Sequence, residues 1–125
     1  LSSHNWTTTQ LAELSEREEL VLVLERSDRP VLRVPVWLVT AGDHAYVRSY
    51  MGVTTGWYRS VMAKRDQAIE LPGGDVPVFF ESVNATDEVN AQINAAYLAK
   101  YATTEYRDAM VTPHAIEATL RVVPR

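Results

Sequence analysis

The sequence contains no cysteine. A disulfide framework, a thiolate nucleophile and a cysteine-ligated zinc are therefore excluded. Nor is there a run of about 18 apolar residues, the length that a membrane-crossing helix needs. Histidine is scarce: His4, His44 and His114 are scattered without metal-ligand spacing, so no metal site is expected. Glycine is scarce too, with five in 125 residues. Gly52 and Gly56 stand alone, without a Walker loop, a dinucleotide fingerprint or a Gly-x-Ser-x-Gly elbow. An excess of basic charge is also missing. Twelve Lys and Arg against sixteen Asp and Glu leave a net charge of −4, which argues against wholesale nucleic-acid binding. Asp87-Glu88 reads as a helix-start pair rather than an acid/base pair. With no nucleophile or metal set in view, the chemistry of an enzyme on this chain falls to a bound cofactor.

What is present fits a globular domain. Hydrophobic residues make up 46% and charged residues 22% of the chain. At this length about two-thirds of the unfolded surface would be buried, enough for one domain over residues 1–125. Leu1-Ser2-Ser3-His4 has no basic segment followed by an apolar one, and a cytoplasmic protein is the expectation. Asn5-Trp6-Thr7 and Asn84-Ala85-Thr86 match the glycosylation sequon and are read as chance matches.

The order of elements follows from periodicity and punctuation. Thr7 with Gln10 three residues on forms a capping box, and Trp6 with Leu11 a hydrophobic staple, so a helix is expected over about Thr8–Arg17. Leu20–Leu24 is a continuous apolar run read as a buried strand. Val31–Thr40 reads as a second strand, in which Pro35 demands an edge, a bulge or a late start. Gly42-Asp43 turns the chain into a third strand, Ala45–Tyr50, antiparallel to the second. Apolar residues 57, 58, 61 and 62 place a short helix after Gly56. Strands are expected over Gln67–Leu71 and Val76–Glu81, either side of Pro72-Gly73-Gly74-Asp75. Thr86 is expected to cap a helix carrying Val89, Ile93, Ala96, Tyr97 and Tyr101 on one stripe. Pro113 closes the next loop, and alternation over residues 116–123 indicates a sixth strand. Consecutive hairpins with inserted helices point to an α+β domain: a six-stranded, mainly antiparallel barrel with three peripheral helices.

Charge is concentrated. Residues 33–65 hold Arg33, Arg48, Arg59, Lys64 and Arg65 against the single acid Asp43, a net of +4. A local positive region in an acidic chain suits a small anion. Arg supplies a planar fork, Ser49 a hydroxyl, and Thr54, Thr55 and Gly56 lie where a helix start would present free N–H groups. One reading is a phosphate-bearing ligand between the third strand and this helix. The other is a solvated basic face, with Arg48 paired to acids elsewhere. Trp57 and Tyr58 could stack on a planar ring or simply pack, whereas Trp37, inside an apolar strand, reads as core.

Several segments occur here in a familiar order. They are Trp6–Leu14, Val36-Trp37-Leu38-Val39, Tyr46-Val47-Arg48-Ser49 with Gly52, Trp57-Tyr58-Arg59, Ala95–Tyr101 and Ala118–Pro124. Together they resemble a bacterial family of unknown function, DUF2255. That family is similar to the flavin- and deazaflavin-binding split β-barrels, which include pyridoxamine phosphate oxidase-like proteins. The resemblance implies a six-stranded split barrel with a cofactor cleft beside strands two and three and the following helix. It implies flavin mononucleotide or an 8-hydroxy-5-deazaflavin coenzyme as cofactor, with Arg48, Ser49, Arg59 and Lys64 in phosphate-binding places. Thr54, Thr55, Trp57 and Tyr58 complete the expected cofactor-binding set. It also implies a homodimer, and an oxidoreductase with an unassigned substrate and no assigned catalytic residue. The alternatives are a non-catalytic barrel for a small anionic or aromatic ligand, and a dimerisation module.

Overall fold

The capping box forms as expected. Gln10 N donates to Thr7 Oγ1 at 3.1 Å and Thr7 N donates to Gln10 Oε1 at 2.9 Å. This starts helix α1, Thr8–Glu16, in the computed structural model, which describes residues 5–125. Residues 1–4, including His4, lie outside the described residues. Trp6 is buried in the core, and its Nε1 donates to Val122 O at 2.8 Å, so the staple also ties the chain start to its end.

Seven strands follow: β1 Leu20–Arg26, β2 Arg29–Val36, β3 Leu38–Ala41, β4 His44–Arg48, β5 Asp66–Leu71, β6 Gly74–Ser82 and β7 Thr119–Pro124. They form one sheet in the order β2-β1-β5-β6-β7-β4-β3, every neighbouring pair antiparallel. Strands β2 and β3 lie at opposite ends of that order, yet Trp37 alone separates them in the chain. The sheet must therefore curl until its two edges meet at this corner. The result is a curled antiparallel half-barrel in an α+β chain.

The expected count of six strands is corrected by the same corner. Val31–Thr40 does not run as one strand but breaks at Trp37 into β2 and β3. Local β propensity cannot see this break, because the bend is imposed by closure of the sheet. Pro35 sits on β2, which pairs only with β1, so its missing N–H faces the free edge.

Leu20, Leu22, Leu24, Leu38, Val47, Ile69, Val78, Phe80 and Leu120 fill the inside of the curl. A second apolar cluster forms on the outer face, where Val39 and Tyr46 meet Ile93 and Tyr97 of α3, Val89–Lys100, and Tyr101 at its C-cap. Helix α3 also covers the free edge of β3. Tyr97 Oη donates to Trp37 O at 3.0 Å, and Lys100 Nζ to Leu38 O at 2.8 Å. Tyr101 Oη reaches Leu38 O at 3.2 Å and Glu18 O at 2.6 Å. Edge carbonyls that would otherwise be buried without partners are thereby satisfied.

Two helix expectations are corrected. The start of α3 is not capped by Thr86: Thr86 N and Oγ1 both bond Asn84 Oδ1, and Val89 N bonds Asp87 Oδ1. The alternation expected from residue 116 begins only at Thr119, because Pro113–Glu117 forms a fourth helix, α4. Pro113 occupies its first turn and Thr112 Oγ1 accepts from Ala115 N at 3.3 Å, so the start signal was local. Between β4 and β5 lie a 3₁₀ turn, Gly52–Thr54, and α2, Gly56–Ala63.

Candidate functional site

Closure of the curl leaves a cavity of about 430 Å³ beside the Trp37 corner. Its walls include Trp37, Arg48, Tyr50, Trp57, Tyr106 and Met110, with Glu19 among the lining residues. Each comes from a different element. Trp37 is the β2–β3 corner, Arg48 ends β4, Tyr50 opens the next loop and Trp57 starts α2. Tyr106 and Met110 come from the loop and 3₁₀ helix (Arg107–Val111) after α3. Trp37 is held by stacking on Tyr101, with ring centroids 4.0 Å apart and planes 5° from parallel. Such a site offers flat apolar faces to a planar ring. Trp37 was expected in the core; it packs against the second apolar cluster but is only half-buried and also borders the cavity.

Arg48 is the polar centre of the site. It is 2% exposed. Nε donates to Thr119 Oγ1 at 2.8 Å, Nη1 to Asn94 Oδ1 and to Met110 O at 3.0 Å, and Nη2 to Asn90 Oδ1 at 3.0 Å. Its guanidinium carbon lies 5.6 Å from the Tyr97 ring centroid. These bonds engage four of the five guanidinium N–H groups. None of the acceptors is a carboxylate, and no ion pair among the described residues includes Arg48. Burial pulls its pKa down to about 10, well above neutrality, so the charge stays. The alternative in which Arg48 pairs with acids of the sheet is thus not met among the described residues.

The basic stretch does not converge. Arg33 bonds Glu70 at 2.7 Å and Asp75 at 2.9 Å, far along the β1–β2 side of the sheet. Lys64 pairs with Glu25 at 2.9 Å, and Arg65 bonds Phe80 O and Ser82 Oγ. Arg59 is exposed at a second groove, of about 720 Å³, between α2 and the β1–β2 hairpin. Lys64 lines that groove too, and Trp57 borders both hollows. Ser49 is buried and its Oγ lies 2.9 Å from Thr55 Oγ1, fastening the loop before α2. Thr54 is exposed in the 3₁₀ turn. Tyr58 turns into the barrel core, where burial raises its pKa.

Of the eight expected site residues, the fold brings Arg48 and Trp57 to the cavity and sends Arg59 and Lys64 to the neighbouring groove. Sequence reasoning missed Asn90, Asn94, Thr119 and Tyr106. Asn90 on an otherwise apolar helix stripe was the one available signal: a buried polar side chain needs a polar partner.

A family profile described as "Uncharacterized protein conserved in bacteria (DUF2255)" matches residues 10–122. No curated protein matches the chain. Solved structures with similar folds include a FAD-binding protein from Mesorhizobium loti, at 15% identity and a TM-score of 0.63, over 97% of this chain and 91% of that one. A pyridoxamine 5'-phosphate oxidase candidate from Listeria innocua aligns at 16% identity and a TM-score of 0.64, over 92% and 90% of the two chains. An F420 reductase aligns at 18% identity and a TM-score of 0.54, over 90% of each chain. At these identities the likeness establishes the split-barrel fold.

Proposed function

The chain belongs to this bacterial DUF2255 family, and we propose that it binds a flavin-type cofactor, flavin mononucleotide or an 8-hydroxy-5-deazaflavin coenzyme. The observation that carries the reading is an aromatic-walled cavity with a buried guanidinium in its wall. The donor set suits such a group. Trp37, Trp57, Tyr50 and Tyr106 offer faces to a fused ring, and Arg48 offers positive charge to an electron-rich or anionic edge. The names of the similarly folded proteins, a FAD-binding protein and an F420 reductase among them, support the same cofactor class.

When bound, the cofactor supplies hydride-transfer chemistry. The chain's own contribution is binding and orientation. Trp37 is braced by Tyr101, Arg48 is held by four bonds, and Ser49 with Thr55 fixes the loop that carries Tyr50 and leads into α2 with Trp57. Arg59 and Lys64 line the neighbouring groove and would serve a part of the cofactor that extends past Trp57. Tyr50 and Tyr106 line the cavity and are exposed, and Met51 and Val53 are exposed in the segment that follows Tyr50. Pairing of two copies would cover them, which supports a homodimer of one-domain chains. A second reading is a non-catalytic barrel for an aromatic anion. It is favoured by the absence of a nucleophile or acid–base pair around the cavity among the described residues.

A thermal-shift titration with flavin mononucleotide, flavin adenine dinucleotide and a deazaflavin coenzyme tests the reading. At about 100 times its dissociation constant a true ligand adds about 2.7 kcal/mol of stability. Trp57→Ala should reduce the shift strongly, while Arg33→Ala leaves it intact. No shift with any of the three would overturn cofactor binding. Sedimentation as a 14.1 kDa species would overturn the dimer.

A further inference from the structure

Resting on the reading that the cavity binds a ring-bearing cofactor, we propose that its outer rim, Glu19 with the rings of Tyr50 and Tyr106, recognises an alkylammonium head on the second ligand, the substrate. The lining divides by depth. Trp37 and Trp57 are half-buried, Met110 is buried and Arg48 is enclosed. Glu19, Tyr50 and Tyr106 are exposed, the two tyrosines at 59% and 67%. The rim thus offers one carboxylate and two aromatic rings to a molecule that enters over the deeper walls.

Charge is sorted in the same way. Arg48 spends its N–H groups on Thr119, Asn94, Met110 and Asn90, so its charge stays in the deep wall. Glu19 is the one carboxylate among the described residues that line the cavity, and none of their ion pairs includes it. Glu25, Glu70, Asp75 and Glu81 each have a Lys or Arg instead. A carboxylate without a cation of its own, beside rings whose faces carry negative potential, favours a cation over an anion or a neutral group. One carboxylate supplies too few oxygens for a metal ion, whereas an alkylammonium has apolar surface that aromatic rings cover. The fold also fixes where these groups stand. Tyr101 stacks on Trp37, and its Oη donates to Glu18 O at 2.6 Å, which fastens the turn before β1 to the corner. Leu20 pairs with Val36, so Glu19 enters the lining beside Trp37. Arg107 Nη1 donates to Leu98 O at 3.2 Å and Arg48 Nη1 to Met110 O at 3.0 Å, which hold the segment that follows Tyr106.

The test is isothermal titration calorimetry with choline, ethanolamine and neohexanol, the uncharged carbon isostere of choline, with and without flavin mononucleotide. Wild type should bind choline or ethanolamine about tenfold more tightly than neohexanol. Choline ahead of ethanolamine identifies a quaternary head, and the reverse order a protonated amine. Glu19→Gln should cut the affinity for the preferred cation about fivefold and leave neohexanol unchanged. Tyr106→Leu should likewise weaken the cation more than neohexanol. Both positions are exposed, so the variants should fold, and urea midpoints will show it. Wild type that binds neither cation more tightly than neohexanol would overturn the proposal. Full discrimination retained in both Glu19→Gln and Tyr106→Leu would also overturn it. Flavin mononucleotide binding without discrimination among the three probes would remove the cation rim and leave the cofactor reading standing. Discrimination that depends on Glu19, with no flavin binding at all, would leave the rim standing and remove the flavin reading.

Discussion

Arg33 and Arg48 lie in the same basic stretch of sequence, and the fold treats them in opposite ways. Arg33 is on the β2 edge, its side chain 49% exposed, between two carboxylates. Its hydrogen bonds to Asp75 and then Glu70 raise its pKa. Arg48 is enclosed beneath α3, bonded only to neutral oxygens, and burial lowers its pKa. The first arrangement neutralises charge where water already screens it and so contributes little. The second preserves charge where screening is weak. Nearness in sequence thus does not bring these cations to one place.

The comparison can be broken most severely at Arg48. Arg48→Met should fit the space but strand four acceptors, on Thr119, Asn94, Met110 and Asn90. Orphaned buried acceptors cost about 1–3 kcal/mol each, partly relieved here by loss of the buried charge. A net destabilisation of about 3 kcal/mol is expected in urea unfolding. A stability equal to wild type would mean that the cage does not hold the loop at Met110.

A pH series separates the two regions next. Burial lowers the Lys100 pKa to about 8 and raises that of Tyr101 to about 12. Between pH 8 and the unfolded lysine value the unfolded chain binds more protons, so this group makes stability rise with pH. Above about pH 10 the folded Tyr101, with Tyr97 raised beside it, holds protons the unfolded chain releases, so these groups make stability fall. On the other edge, the hydrogen bond from Arg33 lowers the Asp75 pKa. Its contribution is present above the unfolded carboxylate value and is lost as pH falls through the folded one. Urea midpoints from pH 3 to 11 should therefore show a rise above about pH 8 that Lys100→Met abolishes, while the fall at higher pH from the tyrosines remains. The acid feature should be reduced by Asp75→Asn. Exchange of these two effects would contradict the assignment.

The smallest effect is expected from Arg33→Ala. Its ion pairs are exposed, so the change in midpoint should be slight and should vanish in high salt. A large, salt-resistant loss would show that the β2 edge carries more of the stability than its exposure implies.

Local signals were read correctly where local physics decides. The Thr7–Gln10 box, the buried Leu20–Leu24 run, the Gly42-Asp43 turn and the α2 spacing all produce the expected elements. Positive φ at Gly42 and Gly52 shows why glycine is favoured there. Recognition of the family from the order of short motifs is also borne out. The missed features share another character. Trp37 became a corner because two sheet edges must meet, and its backbone alone separates them. Asn90, Asn94 and Thr119 met Arg48 across 42, 46 and 71 residues of sequence. Composition and periodicity decide which segments are helix or strand and which faces seek burial, because those preferences act within a few residues. Which cation loses water, and whether a carboxylate or an amide waits for it, depends on contacts between distant segments that exist only once the sheet has curled.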